Sequence, residues 1–132
     1  MRGAAPHWLD EPRHHIISAE SVARFREATD DVAPAKPEVI PVSFLLAVGW
    51  HAPFERVPGA DEHGKTWLNA GDRFEYERPV HIGDELQSQT ELADVFDKRG
   101  ATGLLRFYQF LTMYTDMSGQ PVARHVGTRI RK

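Results

Sequence analysis

Three side chains near the middle of the sequence have the chemistry to transfer a proton. Asp31 can act as an acid, although aspartate is also common as a solvated residue of proline-rich turns. His51 titrates near neutral pH, but a histidine that follows a helix more often interacts with the last helical carbonyls. Lys36 would serve as a general base only if burial lowered its pKa by several units, and nothing in the sequence predicts that burial. Acid–base catalysis by this chain would therefore use Asp31 or His51, although each of these residues also has a structural explanation.

Other kinds of reactive site have weaker support. The sequence contains no cysteine, which excludes a thiolate nucleophile, a disulfide scaffold and an iron–sulfur cluster bound by cysteine. Ser43 has no histidine or acid near it in the arrangement that a serine nucleophile needs. His51, Asp61 and His63 are of metal-ligating types, but their spacing matches no compact site. We expect no metal ion and no resident cofactor.

The composition is that of one globular domain. The chain has 132 residues, of which 41% are hydrophobic and 27% charged, so it can form a core. A net charge of -3 disfavours a nucleic-acid-binding protein. The N-terminal stretch lacks the apolar segment of a secretion signal, and the most apolar run, Val39–Trp50, is about half the length that spans a bilayer. We expect a cytoplasmic protein that binds neither nucleic acid nor membrane.

The first half of the chain is predicted to be helical after an irregular segment, residues 1–15. Ser18 is a favourable N-cap, and the apolar spacing that follows predicts a helix ending near Thr29. After a proline-containing loop, a second short helix is predicted at Pro41–Val48. It is apolar on nearly all sides and must therefore be buried. Residues 51–71 are predicted to form a long connection.

The residue pattern of the second half predicts four strands. In four runs apolar and polar residues alternate, which is the pattern of a strand with one buried face. The residues expected on those faces are Phe74 and Tyr76; Leu86, Ser88, Thr90 and Leu92; Leu105, Phe107, Leu111 and Met113; and Val122, Val126, Thr128 and Ile130. The third run carries Tyr108, Phe110 and Tyr114 on its other face, which favours a central strand covered on both sides.

The segments between these runs contain the residues of tight turns, so we predict hairpins at residues 78–84, 98–100 and 118–119. Helices followed by an antiparallel sheet indicate an α+β fold in one domain, residues 16–132. One helix that must be buried and one long sheet favour a sheet wrapped round that helix, which is the hot-dog arrangement.

Five stretches between Ile17 and Arg131 carry a family resemblance. They read ISAESVARFREATDD, PVSFLLAVGW, FEYERPVHIGDEL, DVFDKRGATGLLRFYQF and MSGQPVAR. In these stretches the sequence resembles the MaoC-like dehydratase and hydratase family, in particular its N-terminal or accessory hot-dog domains. The resemblance implies lyases that add water to, or remove it from, enoyl and 3-hydroxyacyl thioesters of coenzyme A or an acyl carrier protein.

Active members of that family carry a motif of the type G-D-x-N-P-I-H after the first helix, whose aspartate and histidine hold and activate a water. In the matching segment of this chain, Asp31 and Pro34 keep their positions. Ala33 replaces the asparagine and Lys36 the histidine. Hydration needs a group that gains and loses a proton near neutral pH, which an ordinary lysine does not do. The resemblance therefore implies a subunit that has lost its catalytic pair.

The start of the predicted buried helix is a candidate for binding an oxyanion. Pro41 lacks an N–H, so the backbone donors there are those of Val42 and Ser43. Equally, the preceding loop can satisfy both donors. Phe44, Trp50 and Phe54 are expected to line an acyl opening beside this helix. Because only a few residues connect Lys36 to the helix, we expect that opening to be wide enough for bulky acyl groups.

A basic set of residues is the candidate for contact with the carrier of the acyl group. In one interpretation, Arg124, Lys98 and Arg99 contact the phosphates of coenzyme A or an acidic carrier protein. In the other, they lie on a solvated strand face. The sequence does not separate these two interpretations. The thioester carrier, coenzyme A or acyl-carrier pantetheine, is part of the substrate.

Three functions follow from these residues. The first is an accessory hot-dog subunit that shapes the acyl pocket beside a catalytic MaoC-like partner, in a hetero-oligomer or as a homodimer. The second is a stand-alone hot-dog enzyme, a thioesterase or a tailoring dehydratase or cyclase, that uses Asp31 or His51. The third is a catalytically silent acyl-binding protein.

Overall fold

The computed structural model describes residues 8–28 and 53–132. Helix α1, Ala19–Ala28, begins where the sequence predicts it: the Ser18 hydroxyl oxygen accepts a hydrogen bond from the Ser21 N–H at 3.1 Å. Within this helix Arg24 and Glu20 form an exposed ion pair at 3.0 Å, one turn apart. The loop and the apolar helix that the sequence predicts between residues 30 and 48 lie outside the described residues.

Five antiparallel strands form one sheet. In chain order they are β1 Arg13–Ile16, β2 Trp67–Tyr76, β3 Glu85–Gly100, β4 Gly103–Asp116 and β5 Pro121–Arg131. Their order across the sheet is β1-β3-β4-β5-β2, so the long strands β3 and β4 lie at the centre and β2 at an edge. Two short 3-10 helices, Phe54–Arg56 and Ala60–His63, precede β2. The predicted α+β class with an antiparallel sheet is confirmed.

The boundaries of two predicted irregular segments need correction. Part of the segment predicted as irregular, residues 1–15, belongs to strand β1, which pairs with β3 from Arg13 opposite Ser88 to Ile16 opposite Glu85. Its four residues are too few and too polar to show an alternating pattern in the sequence. The connection predicted at residues 51–71 contains both 3-10 helices and the first five residues of β2.

The predicted turns are right in two cases of three. Strands β3 and β4 form a hairpin, and so do strands β4 and β5. The turn of the first hairpin lies beyond Gly100 rather than at residues 98–100. Residues 78–84 do not close a hairpin, because β2 pairs with β5 and β3 pairs with β1 and β4. This segment instead carries the chain from one edge of the sheet to its centre. The Asp84 carboxylate stabilises its end by accepting a hydrogen bond from the His81 N–H at 2.9 Å.

The two faces of the sheet differ in burial. We call the buried face the inner face; on the central strands it carries Leu86, Ser88, Thr90, Tyr108, Phe110, Thr112, Tyr114, His125, Gly127, Arg129 and Arg131. The opposite, outer face is half-buried and carries Phe107, Leu111, Met113, Val126, Thr128 and Ile130. The sequence prediction for β5 is therefore wrong: the buried face of this strand is the one with histidine and arginines. Val122 reaches the core because a bulge opposite Tyr114 and Thr115 inserts it there.

Apolar side chains on the inner face form two clusters. The first joins α1 to the sheet and contains Ile17, Val22, Val80, Leu86, Tyr114, Val122 and Ala123. The second lies beside the 3-10 helices and contains Val57, Ala60, Tyr108 and Phe110, with Phe54 and Trp67 against them. Within residues 8–28 and 53–132, no helix is long and apolar enough to cross a membrane.

Candidate functional site

A row of polar side chains crosses the inner face between the two apolar clusters. Thr90 pairs with Thr112 across β3 and β4, and Thr112 pairs with His125 across β4 and β5. Asp72 on β2 and Arg129 on β5 complete the row, which we call the polar belt. The hydroxyl oxygens of Thr90 and Thr112 are 2.7 Å apart and both residues are buried. Buried polar groups are normally hydrogen-bonded, and Thr90 and Thr112 meet that requirement through each other.

His125, Asp72 and Arg129 form the charged end of the belt. The Nε2 atom of His125 lies 2.7 Å from Oδ1 of Asp72, and Nη2 of Arg129 donates to the same oxygen at 3.0 Å. The side chain of His125 is 0% exposed, that of Arg129 8% and that of Asp72 17%. One carboxylate thus accepts hydrogen bonds from two buried donors. The arrangement ties edge strand β2 to β5 beside the bulge between Asn69 and Gly71.

The surroundings set the charge on each of these groups. Burial lowers the pKa of His125 below its ordinary value, and the opposing effect of the Asp72 hydrogen bond does not restore it. Burial alone would raise the pKa of Asp72, but hydrogen bonds from His125 and Arg129 outweigh burial and hold that pKa below its usual range. The belt therefore contains an ionised aspartate, a charged arginine and a neutral imidazole at neutral pH.

This arrangement fixes the tautomer of the imidazole. A carboxylate only accepts hydrogen bonds, so Nε2 of His125 carries the proton and Nδ1 carries the lone pair. The ring also stacks on Phe74, with centroids 4.6 Å apart and planes inclined by 24°. The pair has the parts of a positioned acid–base group. Its ring is closed off from solvent, so its direct effect is to join strands and to set the electrostatics of the inner face.

A second polar group lies beside the next pair of inner-face residues after Thr90 and Thr112, at the end of the inner face near α1. The Nε2 atom of His15 is 2.8 Å from the Ser88 hydroxyl, and the His15 ring packs 5.9 Å from that of Tyr114. The Tyr114 hydroxyl is buried and has no hydrogen-bond partner among the described residues. Burial raises the pKa of Tyr76 to about 12 and raises that of Tyr114 further. Both tyrosines therefore stay protonated at neutral pH.

We expect the free energy of unfolding to decrease as the pH is lowered through the range in which free histidine titrates. Burial lowers the pKa of both His15 and His125 from the ordinary value of 6.5. Below about pH 6.5 the unfolded chain binds protons at these residues before the folded chain does, so acid favours unfolding. Urea unfolding at a series of pH values between about 5 and 7.5 measures the slope. The variant His125→Asn is expected to flatten it, and an unchanged slope would show that His125 does not carry the linkage.

Most of the site residues predicted from the sequence lie outside the described residues. These are Asp31, Lys36, Val42, Ser43, Phe44, Trp50 and His51, whose roles stay predictions. Phe54 is described: it stacks on Trp67 with centroids 4.5 Å apart and meets Phe110 edge-on at 5.6 Å. Arg124 is half-exposed and pairs with Glu75 at 2.6 Å. Among the described residues no group of three or more histidine, aspartate or glutamate side chains is arranged to hold a metal ion.

Sequence reasoning did not single out Asp72, His125 and Arg129. The signal was present in β5, where His125, Gly127, Arg129 and Arg131 alternate with Val126, Thr128 and Ile130. Val126, Thr128 and Ile130 are the more apolar set, so they were predicted to lie on the buried face. One observation favours the first set: Asp72 lies on a neighbouring strand as a counter-ion. It cannot be used before the pairing of β2 with β5 is known.

Comparison with solved structures identifies the same fold elsewhere. The C-terminally truncated HadBC (3R-hydroxyacyl-ACP dehydratase) complex from Mycobacterium tuberculosis has a chain of TM-score 0.70 and 17% identity, with 93% of each chain covered. A chain of the ChsH1-ChsH2 complex from the same organism gives a TM-score of 0.74 at 17% identity, covering 92% of this chain and 83% of the other. A MaoC-like dehydratase gives 0.72 at 23% identity, and this chain spans 40% of that protein.

These structural matches confirm the predicted single hot-dog fold of the MaoC-like dehydratases. A search of curated proteins gave no match to the sequence. The protein-family comparison matches residues 5–125 to the family described as "FAS1-like, dehydratase domain region". That match covers most of the chain, including α1, β1 to β4 and the polar belt as far as His125. The chain thus belongs to the family described as FAS1-like, dehydratase domain region.

Proposed function

We propose that this chain is an accessory subunit of an enoyl-thioester hydratase or 3-hydroxyacyl-thioester dehydratase. In this role it shapes the acyl pocket beside a MaoC-like partner that supplies the catalytic aspartate and histidine. The observation that carries the proposal is the segment that matches the family's catalytic motif. It keeps Asp31 and Pro34 but has Lys36 in the position of the histidine. A lysine in that position lacks the near-neutral pKa that the reaction needs.

The two histidines on the inner face support this role. His125 is held by Asp72 at 2.7 Å and is 0% exposed, and His15 is 2.8 Å from the Ser88 hydroxyl. Both are engaged in contacts that join strands, His125 between β5 and β2 and His15 between β1 and β3. A histidine closed off from solvent, as His125 is, does not take the place of a base that has to meet the substrate and exchange its proton with solvent.

Strand β2 supports the association with a second hot-dog subunit. Within residues 8–28 and 53–132, it pairs only with β5, so no described strand covers the other edge of this ten-residue strand. A long edge strand of this kind is a template for another chain, and pairing there would extend the sheet. The HadBC and ChsH1-ChsH2 structures are each described as a complex of two named subunits. A hetero-oligomer is therefore proposed, with a homodimer as the alternative.

The experiment is co-expression with a hot-dog subunit that carries an intact D-x-N-P-x-H motif. We expect the two chains to co-purify, with light scattering giving the mass of a complex, and hydratase activity to appear in the complex. The chain alone is expected to have no more than about 1% of that activity, a difference of about 2.7 kcal/mol in barrier. Assays with a crotonyl thioester and with a ring-bearing enoyl thioester also test whether the pocket prefers bulky acyl groups.

Activity of the chain alone at the level of the complex would overturn the proposal. It would favour the stand-alone enzyme that uses Asp31 or His51 instead. A complex with no more activity than the partner alone would point to the silent acyl-binding protein. The partner expressed alone is the control that separates these results, because it shows how much of the activity requires this chain.

A further inference from the structure

A small cavity lies at the end of the inner face, beside the hairpin that joins β3 to β4. Its volume is about 130 Å³, and it is lined by Asp97, Leu104, Arg106 and Arg131. Arg106 and Arg131 are directly opposite each other in the ladder between β4 and β5, so two guanidinium groups line one cavity. Like charges in that position destabilise a sheet unless negative groups offset them. The nature of those negative groups therefore decides what the cavity can bind.

Arg131 is a buried cation that is fixed in place. Its side chain is 6% exposed, and its guanidinium carbon lies 4.8 Å from the centroid of the Trp67 ring. Its Nε also donates to the Ala60 carbonyl oxygen at 3.3 Å. Trp67 in turn meets Tyr108 edge-on, with ring centroids 5.0 Å apart, inside the second apolar cluster. Moving this guanidinium would disrupt that cluster, so its charge stays at the cavity.

The counter-ion of Arg131 is much easier to displace than the arginine itself. Nη2 of Arg131 donates to Oδ1 of Asp61 at 2.5 Å, but the Asp61 side chain is 96% exposed. An exposed carboxylate loses little when it returns to water. Among the described residues, the remaining nitrogen of Arg131, Nη1, has no hydrogen-bond acceptor. A second anion can therefore reach Arg131 while Asp61 moves into solvent.

Arg106 forms the other wall and is held in a fixed orientation. Its Nε and Nη2 donate to the two oxygens of Asp97, at 2.8 Å and 3.0 Å. This bidentate pair aligns the plane of the guanidinium group and keeps it beside the cavity. Arg99 lies on the same face two residue pairs further along the hairpin, opposite Leu104. Arg106 and Arg131 thus line the cavity together with Asp97, and the counter-ion of Arg131 is the carboxylate that is readily displaced.

We propose that this cavity binds a phosphate group, with Arg131 and Arg106 as its ligands and Asp61 as the carboxylate that it displaces. Guanidinium groups match the tetrahedral oxygens of phosphate in bidentate pairs, and a doubly charged anion gains more from two cations than a carboxylate does. The thioester carriers of the proposed function contain phosphate groups, so the assignment of the phosphate to a carrier rests on that function. Binding itself needs only this chain.

Calorimetric titration of the whole chain tests the site, at constant ionic strength, with inorganic phosphate, pyrophosphate, coenzyme A, pantetheine and acetate. We expect phosphate and pyrophosphate to bind and acetate to bind at least about tenfold more weakly. Arg106→Gln is expected to weaken phosphate binding by about tenfold or more, since it removes a ligand and leaves Asp97 facing the anion. Asp61→Asn is expected to strengthen it by about threefold, because the competing carboxylate is removed.

Arg24→Gln is the matched control. It makes the same change of charge at an exposed arginine of α1 whose partner is Glu20, and it is expected to leave phosphate binding unchanged. Tighter binding of coenzyme A than of pantetheine and phosphate would assign the phosphate to a carrier, whereas equal binding of coenzyme A and phosphate would assign the site to the free ion. Absence of binding at millimolar phosphate, equal binding of acetate, or no effect of Asp61→Asn would each overturn the site. None of these results depends on a partner or on turnover, so the subunit proposal is judged separately.

Discussion

Replacing the motif histidine of the catalytic partner by alanine is expected to lower kcat/KM of the reconstituted complex by about a thousandfold or more. The same replacement at the matching position of this chain, Lys36→Ala, is expected to change kcat/KM by less than about threefold, under about 0.7 kcal/mol of barrier. The reason is the pKa of each group. Histidine exchanges a proton near neutral pH, whereas an ordinary lysine stays protonated and cannot accept one.

One further variant and a control make that comparison decisive. Asp31→Ala in this chain is expected to behave like Lys36→Ala, because an aspartate without its histidine partner does not activate water. Light scattering on each complex checks that the subunits still associate, so that a lost interface is not read as lost chemistry. A hundredfold loss on Lys36→Ala or Asp31→Ala, with the complex intact, would show that this chain does chemistry and would support the stand-alone enzyme.

Local signals in the sequence predicted the helix and the longer strands that the structure describes. Ser18 and the apolar spacing after it placed α1, and period-two alternation placed four of the five strands. Strand pairing was less accessible, because it depends on contacts between distant residues. The turn-like residues 78–84 predicted a hairpin, yet β2 pairs with β5 about fifty residues away, as Glu75 opposite Arg124 shows. The residues of a turn show where the chain changes direction, but they do not determine which strands pair with each other.

The candidate site was predicted less completely, for a different physical reason. Apolar patterning assigns the hydrophobic face of a strand to the core, and in β5 this rule selected Val126 and Ile130. The core there instead contains His125 and Arg129, because Asp72 offsets their polarity at 2.7 Å and 3.0 Å. A buried charge becomes acceptable only once its partner is placed beside it. Until β2 and β5 are known to pair, Arg129 resembles a solvated strand residue.

Removal of the Asp72 carboxylate is expected to have the largest effect on stability among single changes in the polar belt. Asp72→Ala leaves the guanidinium of Arg129 and the imidazole of His125 buried without their shared acceptor. Removing one partner of a buried ion pair typically costs about 3–5 kcal/mol, and the 17% exposure of Asp72 places this case near the lower end. A loss of about 3 kcal/mol corresponds to a decrease in Tm of about 10 °C for a domain of this size.

Urea unfolding and thermal melts of three variants separate a buried ion pair from a surface one. Glu75→Ala, on the same strand, removes an exposed carboxylate that lies 2.6 Å from Arg124 and is expected to cost no more than about 1 kcal/mol. The double variant Asp72→Ala with Arg129→Met removes both charges and is expected to recover part of the loss, since no guanidinium then remains buried without its carboxylate. Equal losses for Asp72→Ala and Glu75→Ala, or a double variant no more stable than Asp72→Ala, would mean that β2 is held to β5 by its backbone hydrogen bonds and by Phe74 against His125. The electrostatic account of the belt would then be wrong, and the burial of Arg129 would need another cause.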